Sequence, residues 1–269
     1  MHPTLLALKK RLNVRSRLQR YGQYASELTA QHPLGTLTRV ITHAPVVALT
    51  FDDGPHPEYT PRLLDVLERY GARATFFMVG AQAARHPEIV ARAAAAGHTI
   101  GNHTWDHPAM TVISSAERRE QLRRCREILG AYGSRLFRPP FGFQNRASRF
   151  DALRTGYDVV GWSFSAYDWL ERDGPWMADF IGKRLAPGKI VILHDRLHTA
   201  ERPELADRSA MITAVALLLQ RHSGSYRFVT VPELMRAGLP WRTHWYREPK
   251  PEWLGRQTMI ADEPDQLPS

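Results

Sequence analysis

Cysteine is nearly absent. Of the 269 residues only Cys125 is one, so no disulfide can form within the chain and packing alone must hold the fold. Leu122, Ile128 and Leu129 surround it at helical spacing, which marks it as a small buried hydrophobe rather than a nucleophile. Long apolar runs are missing as well: none approaches the ~20 residues of a membrane span. Leu5-Leu6-Ala7-Leu8 is too short for a secretory leader, and the positive charges follow it instead of preceding it. A cytoplasmic protein is the expectation. Acid is scarce at the start of the chain. Residues 1–26 carry Lys9, Lys10, Arg11, Arg15, Arg17 and Arg20 with no Asp or Glu, so much of the net charge of +9 sits on an arm and not on the fold. No nucleic-acid partner is expected from such a distribution. The first strand-to-helix loop also lacks the glycines of a phosphate cradle.

What is present is a regular alternation. The composition is 43% hydrophobic, enough for a full core. Short apolar runs such as Val46 to Phe51, Ala74 to Val79, Asp158 to Trp162 and Ile190 to Leu193 read as buried strands. Between them lie helical stretches: Pro61 to Tyr70, Pro87 to Ala96, one opened by the Ser114/Glu117 capping box, and Ala210 to Gln220. Strands alternating with helices mean a parallel α/β sheet, and about seven such units favour a closed or nearly closed barrel. Residues 1–40 read as a basic helical arm and linker, 41–240 as a single catalytic domain, and 241–269, with Trp241, Trp245 and Trp253, as a Trp/Pro-rich tail. The arm could touch an anionic membrane surface weakly. It should be dispensable for chemistry, so a chain lacking residues 1–38 should fold. The sequence sets no oligomeric state.

The polar residues collect where strands end, which in parallel barrels is where reactive groups gather. Asp52 and Asp53 close the first strand. Two carboxylates forced together want a cation or a shared proton, although Asp-Gly-Pro is also ordinary turn chemistry. His103 and His107 stand four apart, a spacing that one face of a helical turn would bring to a common ion. His194 and His198 repeat the spacing, but Arg196 between them is a poor neighbour for a metal. The first pair needs one carboxylate to complete a two-His, one-carboxylate site with open positions, and Asp53 is available. Arg138, stiffened by Pro139 and Pro140, can hold a carboxylate ionised. His194 suits a general acid, with Asp168 to orient it.

Thr50-Phe51-Asp52-Asp53-Gly54-Pro55, His103-Thr104-Trp105-Asp106-His107, Arg138-Pro139-Pro140-Phe141, Asp168-Trp169 and Ile192-Leu193-His194 together resemble, in order, the motifs of the polysaccharide deacetylases (carbohydrate esterase family 4). The resemblance covers roughly residues 44–240. It implies a distorted (β/α)7 barrel and metal-dependent removal of acetyl groups from N-acetylated amino sugars. It further implies that Asp52 is the general base, held by Arg138. Asp53, His103 and His107 would be ligands of one divalent ion, zinc foremost, with cobalt or nickel as alternatives. His194 would be the general acid, tuned by Asp168. The backbone N–H of Phe141 would share the oxyanion with the metal, and Trp169 and Ile192 would wall the acetyl pocket. Ser165 and Arg196 depart from the family's usual Asp and Gly, which bears on substrate identity more than on chemistry. Trp105, in a loop between the two histidines, is the candidate for stacking on a sugar ring. The competing readings are a same-fold amidase acting on a non-sugar or small glycoside substrate, and a glycan-binding protein with weak catalysis.

Overall fold

A computed structural model provides the fold and describes residue 32 and residues 34–250 apart from Glu201. The predicted helix at the start of the arm and the tail from residue 251, including Trp253, lie outside the described residues. The strands are β1 (Thr36–Ile41), β2 (Val46–Asp52), β3 (Thr75–Met78), β4 (Thr99–Asn102), β5 (Gly133–Phe137), β6 (Asp158–Val159), β7 (Phe164–Ser165), β8 (Ile190–His194), β9 (Arg227–Phe228) and β10 (Leu239–Thr243). The helices are α1 (Tyr59–Arg69), α2 (Gly80–Arg85), α3 (Pro87–Ala95), α4 (Ser115–Leu129), α5 (Arg146–Arg154), α6 (Gly174–Gly182), α7 (Ser209–His222) and α8 (Val231–Arg236). The parallel sheet runs β6-β5-β4-β3-β2-β8-β7, with β9 beside the start of β2, and curls into a half-barrel. This is the α/β architecture that the alternation of elements predicts.

β2 is the axis of this sheet. All of its residues are buried, and successive side chains must point to opposite faces. Val47, Leu49 and Phe51 pack outward into one core with Leu63, Leu64 and Leu67 of α1 and Val215, Leu218 and Leu219 of α7. Val46 and Ala48 pack inward with Phe77, Ile190 and Val231. The inward row continues through Thr50 to Asp52, so the period of the strand by itself carries a carboxylate up the inside of the barrel. β8 obeys the same rule. Ile190 belongs to the inner core and Val191 and Leu193 to the outer one, which sends Ile192 and His194 inward.

The first and last described strands lie side by side. β1 pairs antiparallel with β10, from Thr36 opposite Thr243 to Ile41 opposite Leu239, so the divisions at 40/41 and 240/241 both cut through strands. β1 also bridges to the sheet, Leu37 to Val160 and Arg39 to Lys189, and thereby closes the seam left by the very short β6 and β7. The Gly161 N–H donates to the Leu37 carbonyl (2.8 Å), and Leu37 is fully buried. Thr36–Ile41 is rich in β-branched residues, a strand signal that reading it as linker overlooks. Deleting residues 1–38 is therefore expected to damage the barrel. Losing Leu37 alone should cost about 2–5 kcal/mol, by analogy with large-to-small core substitutions. Thermal denaturation of that chain, set against one starting at residue 32, checks it: equal midpoints would return β1 to the status of a dispensable linker.

Candidate active site

Asp52 lies at the inner end of β2, and the chain leaves the strand immediately afterwards. Asp53 takes a left-handed conformation (φ 73°), which turns its carboxylate to the same side as that of Asp52. Gly54 then passes so close to Asp195 that a Cβ would collide with its carboxylate. The five non-glycine residues described with positive φ are Asp53, Thr104, His107, Phe141 and Tyr167, and each belongs to a loop at the C-terminal end of the sheet. Such conformations cost of order 1–3 kcal/mol each and cluster where function demands them.

His103 and His107 do come together, but not on a helical turn. The segment after β4 is an irregular loop with Thr104 (φ 69°) and His107 (φ 67°) in left-handed conformation. It is stapled locally: the Thr104 N–H donates to Asn102 Oδ1 (2.8 Å) and the His107 N–H to Thr104 Oγ1 (3.0 Å). Both imidazole Nε2 atoms approach Asp53 Oδ1, His103 at 3.2 Å and His107 at 3.0 Å. The other oxygen, Oδ2, accepts the backbone N–H of His198 at 2.8 Å. The donor atoms of Asp53, His103 and His107 all lie within 4.8 Å of one another, and this is the one such group among the described residues.

The hydrogen-bond partners of these side chains fit the trio to a cation. His103 Nδ1 is 2.7 Å from the carbonyl oxygen of Arg138, which can only accept, so Nδ1 carries the hydrogen. In the neutral ring, Nε2 then presents a lone pair to a carboxylate oxygen, an arrangement that repels unless a positive charge stands between them. His107 is pushed below its ordinary value by burial, against the pull of Asp53, and so favours the neutral form a metal ligand requires. Burial would raise Asp53, but the electrostatic pull of His107 beside it outweighs that and holds the carboxyl well below the usual carboxylate range, so Asp53 offers a charged oxygen. Orienting a ligand imidazole through its second nitrogen is common at metal sites.

Asp52 is gripped from behind. Arg138, wholly buried, donates from one terminal nitrogen to Asp52 Oδ1 and Thr50 Oγ1 (2.7 Å each) and from the other to the Gly161 carbonyl (2.8 Å). Its guanidinium carbon lies 4.2 Å from the Phe77 ring centroid. The guanidinium thus has one charged partner and a set of neutral ones. Replacing Arg138 by Met would leave a buried carboxylate unpaired, and the expected destabilisation is about 3–5 kcal/mol. Urea denaturation reads this directly, and a loss below 1 kcal/mol would show that water or another group can replace the arginine.

On the other side stands His194. Asp168 accepts the backbone N–H of His194 on Oδ2 (2.8 Å) and faces the ring Nδ1 with Oδ1 (3.0 Å), so one carboxylate fixes both the position and the tautomer of the histidine. Burial opposes the charged imidazolium, yet the Asp168 charge and hydrogen bond override it and raise His194 to about 9. Arg208, buried at the start of α7, donates to the Asp168 carbonyl (2.8 Å) and lies 3.6 Å from its Oδ2. The motif reading did not include it, and a lone arginine ahead of a helix gives no sequence signal.

These groups open onto one groove of ≈ 1230 Å³. Asp52, Asp53, His103, His107, Phe141, Trp169, Ile192 and His194 line it; Arg138 and Asp168 stand behind. Trp105 does not line it. Its ring packs on Gly80, where a Cβ would come within 2.8 Å, and under the Arg124 guanidinium at 4.0 Å. The left-handed turn at Thr104 faces it away from the histidines that flank it in sequence. The aromatic wall comes instead from Trp162, Tyr167, Phe143 and Phe180. His198 is an addition. Its ring stacks on His107 (centroids 4.4 Å apart), and burial lowers it to about 3, so it stands neutral against the ligand trio without joining it.

Known proteins resemble this chain in sequence and in fold. The family model for polysaccharide deacetylase matches residues 39–160. A peptidoglycan-N-acetylglucosamine deacetylase of Bacillus cereus is 36% identical over 210 residues, spanning 76% of this chain and 95% of that protein. A chitooligosaccharide deacetylase of Sinorhizobium fredii is 35% identical over 166 residues, 60% of this chain and 77% of its own. Among solved structures, a family 4 carbohydrate esterase from Streptomyces lividans in complex with acetate superposes with a TM-score of 0.64 at 26% identity, covering 76% of this chain and all (100%) of that one.

Proposed function

Because the chain belongs to the polysaccharide deacetylase family, metal-dependent hydrolases of N-acetylated sugars, we propose that its groove removes acetyl groups from a glycan through the roles set out below. The observation that carries the reading is the convergence of a cation-ready Asp53–His103–His107 trio with an Arg138-held carboxylate and an Asp168-held imidazole in one groove.

Asp53, His103 and His107 would hold a divalent ion, and zinc suits a donor set of two imidazoles and a carboxylate. When bound, that ion supplies a Lewis acid that polarises the acetamide carbonyl and acidifies water. Asp52, fixed through Oδ1 by Arg138, takes the proton of the attacking water on its remaining oxygen. The backbone N–H of Phe141 donates to the oxyanion that develops on the former carbonyl. His194 enters protonated and gives its proton to the departing amine, which leaves poorly without one. Trp169 meets the His194 ring edge-on at 5.4 Å, and with Ile192 it bounds the space left for a methyl group. The test of the whole reading is release of acetate from N-acetylglucosamine oligomers, abolished by a chelator and restored by added zinc.

The charge state of His194 makes the mechanism sensitive to pH. The proton it donates is present below about 9 and is lost as pH rises through that value, so kcat should fall on the alkaline side. Asp168→Asn removes the charge that raises His194 and leaves burial, which lowers it. The alkaline limb should then move to lower pH by about 1–3 units, the usual effect of one close opposite charge. A pH–rate profile whose alkaline limb stays in place in that variant would take the acid role away from His194. Among the described residues no helix is long and apolar enough to cross a membrane.

A further inference from the structure

The groove is larger than the reaction requires. Its described lining contains two carboxylates, Asp52 and Asp53, both at the floor, and two arginines, Arg184 and Arg247, away from it. Asp52 is matched by Arg138, and Asp53 lies between the two imidazoles. The unbalanced charge of the outer groove is therefore positive. Both arginines are exposed, and neither makes an ion pair with a described residue.

Their side chains are nonetheless held. The Arg184 guanidinium lies 3.6 Å from the Phe180 ring centroid, and Nη1 donates to the Phe180 carbonyl at 3.1 Å. Arg247 lies over Trp245 (5.5 Å), and its backbone exchanges two hydrogen bonds with Gln144, at 2.8 and 2.9 Å. Trp245 in turn donates from its indole to the Gly142 carbonyl (3.1 Å) and packs edge-on against Trp162. A guanidinium resting on a ring face keeps outward N–H donors in a fixed fork, the geometry that receives a carboxylate with little ordering cost. A neutral polymer of N-acetylated amino sugar offers these forks only hydroxyl and amide oxygens, single uncharged acceptors, whereas a polymer carrying carboxylates offers a charged acceptor that matches both prongs.

Building on the deacetylase reading, we propose that Arg184 and Arg247 form an anion subsite, and that the glycan taken by this groove carries carboxylates on sugars near the reacting acetamide. The shared chemistry is a sugar-borne carboxylate. It can come from an ether-linked lactyl group on the amino sugar or from a uronic acid in which C6 is oxidised.

The experiment measures binding by calorimetry, so it does not depend on turnover. The full chain and the Arg184→Gln/Arg247→Gln double variant are titrated with three tetrasaccharides: neutral tetra-N-acetylchitotetraose, its lactyl-ether counterpart, and its C6-oxidised counterpart. Exposed ion pairs are worth about two- to fivefold in affinity each, so one or both anionic glycans should bind the wild type on the order of tenfold more tightly than the neutral one. That ratio should shrink toward one in the double variant and in about 1 M salt, where the screening length is ~3 Å. A preference confined to one anionic glycan identifies the source of the carboxylate. An Arg→Lys pair should keep part of the ratio, since charge survives while the fork is lost. Equal ratios in wild type and double variant, or a wild type that prefers the neutral glycan, would overturn the subsite. Acetate release is read in parallel. If the neutral glycan is deacetylated and the ratios are flat, only the subsite fails; if no glycan is deacetylated, the deacetylase reading fails and the binding ratios still decide the subsite.

Discussion

Replacing Asp52 by Asn is expected to lower turnover by about 10²–10⁴-fold, the usual worth of a positioned general base, while metal content stays at wild-type level. The substitution preserves shape, and an amide oxygen can still accept from Arg138 at the position of Oδ1 (2.7 Å). What it removes is the capacity to take a proton. It also takes the charged partner from buried Arg138, so a stability loss should accompany the loss of activity and must be measured separately. Asp53→Asn should do the opposite and lose the ion, because Asp53 Oδ1 is the atom that both imidazoles approach. Metal analysis with acetate-release kinetics on both variants settles the assignment. Should Asp52→Asn come out without metal and Asp53→Asn with it, the two carboxylates must exchange roles.

His107→Ala is expected to cost more than about 100-fold in affinity for zinc, since removing a mere outer partner of a metal ligand already costs about 10–100-fold. His107 is also packed between Phe141 (4.5 Å between centroids) and His198 (4.4 Å), so the alanine leaves a gap beside the remaining ligands. His198, stacked where the ring was, is the side chain best placed to move in. A His107→Ala/His198→Ala double variant separates rescue from tolerance: if the single variant keeps zinc and the double one loses it, His198 has substituted. Retention of stoichiometric zinc by both, measured after dialysis, would move the cation elsewhere.

Much of this site could be read from the chain alone because strand geometry carries it. A strand alternates with period two, so an apolar run ending in Asp52 or His194 already fixes which face each occupies once Val46, Ala48 and Ile190 are known to point inward. Loops carry no such period. The four-residue spacing of His103 and His107 suggests a helical turn, and the structure reaches the same proximity through two left-handed residues instead. The identical spacing at His194 and His198 puts one ring against Asp168 and stacks the other on His107. Trp105 shows the limit from the other direction: adjacency in sequence to two site histidines did not place it in the groove.

The order of strands and helices, the inward carboxylate at the end of β2 and the set of groups fit for metal-assisted amide hydrolysis are properties of the sequence. They follow from local periodicity and from residue chemistry, both of which act over a few positions. The tertiary structure alone decided which aromatics face the groove, that Asp53 is anchored by the His198 amide (2.8 Å), that Arg208 stands behind Asp168, and that Arg247 reaches the groove wall beside Gln144. It also decided that β1 joins the barrel, through the bridges of Leu37 to Val160 and of Arg39 to Lys189. Each of these is a contact between segments far apart in the chain, made when burial of the two cores brings strand ends together. No local pattern encodes which distant partner will be there.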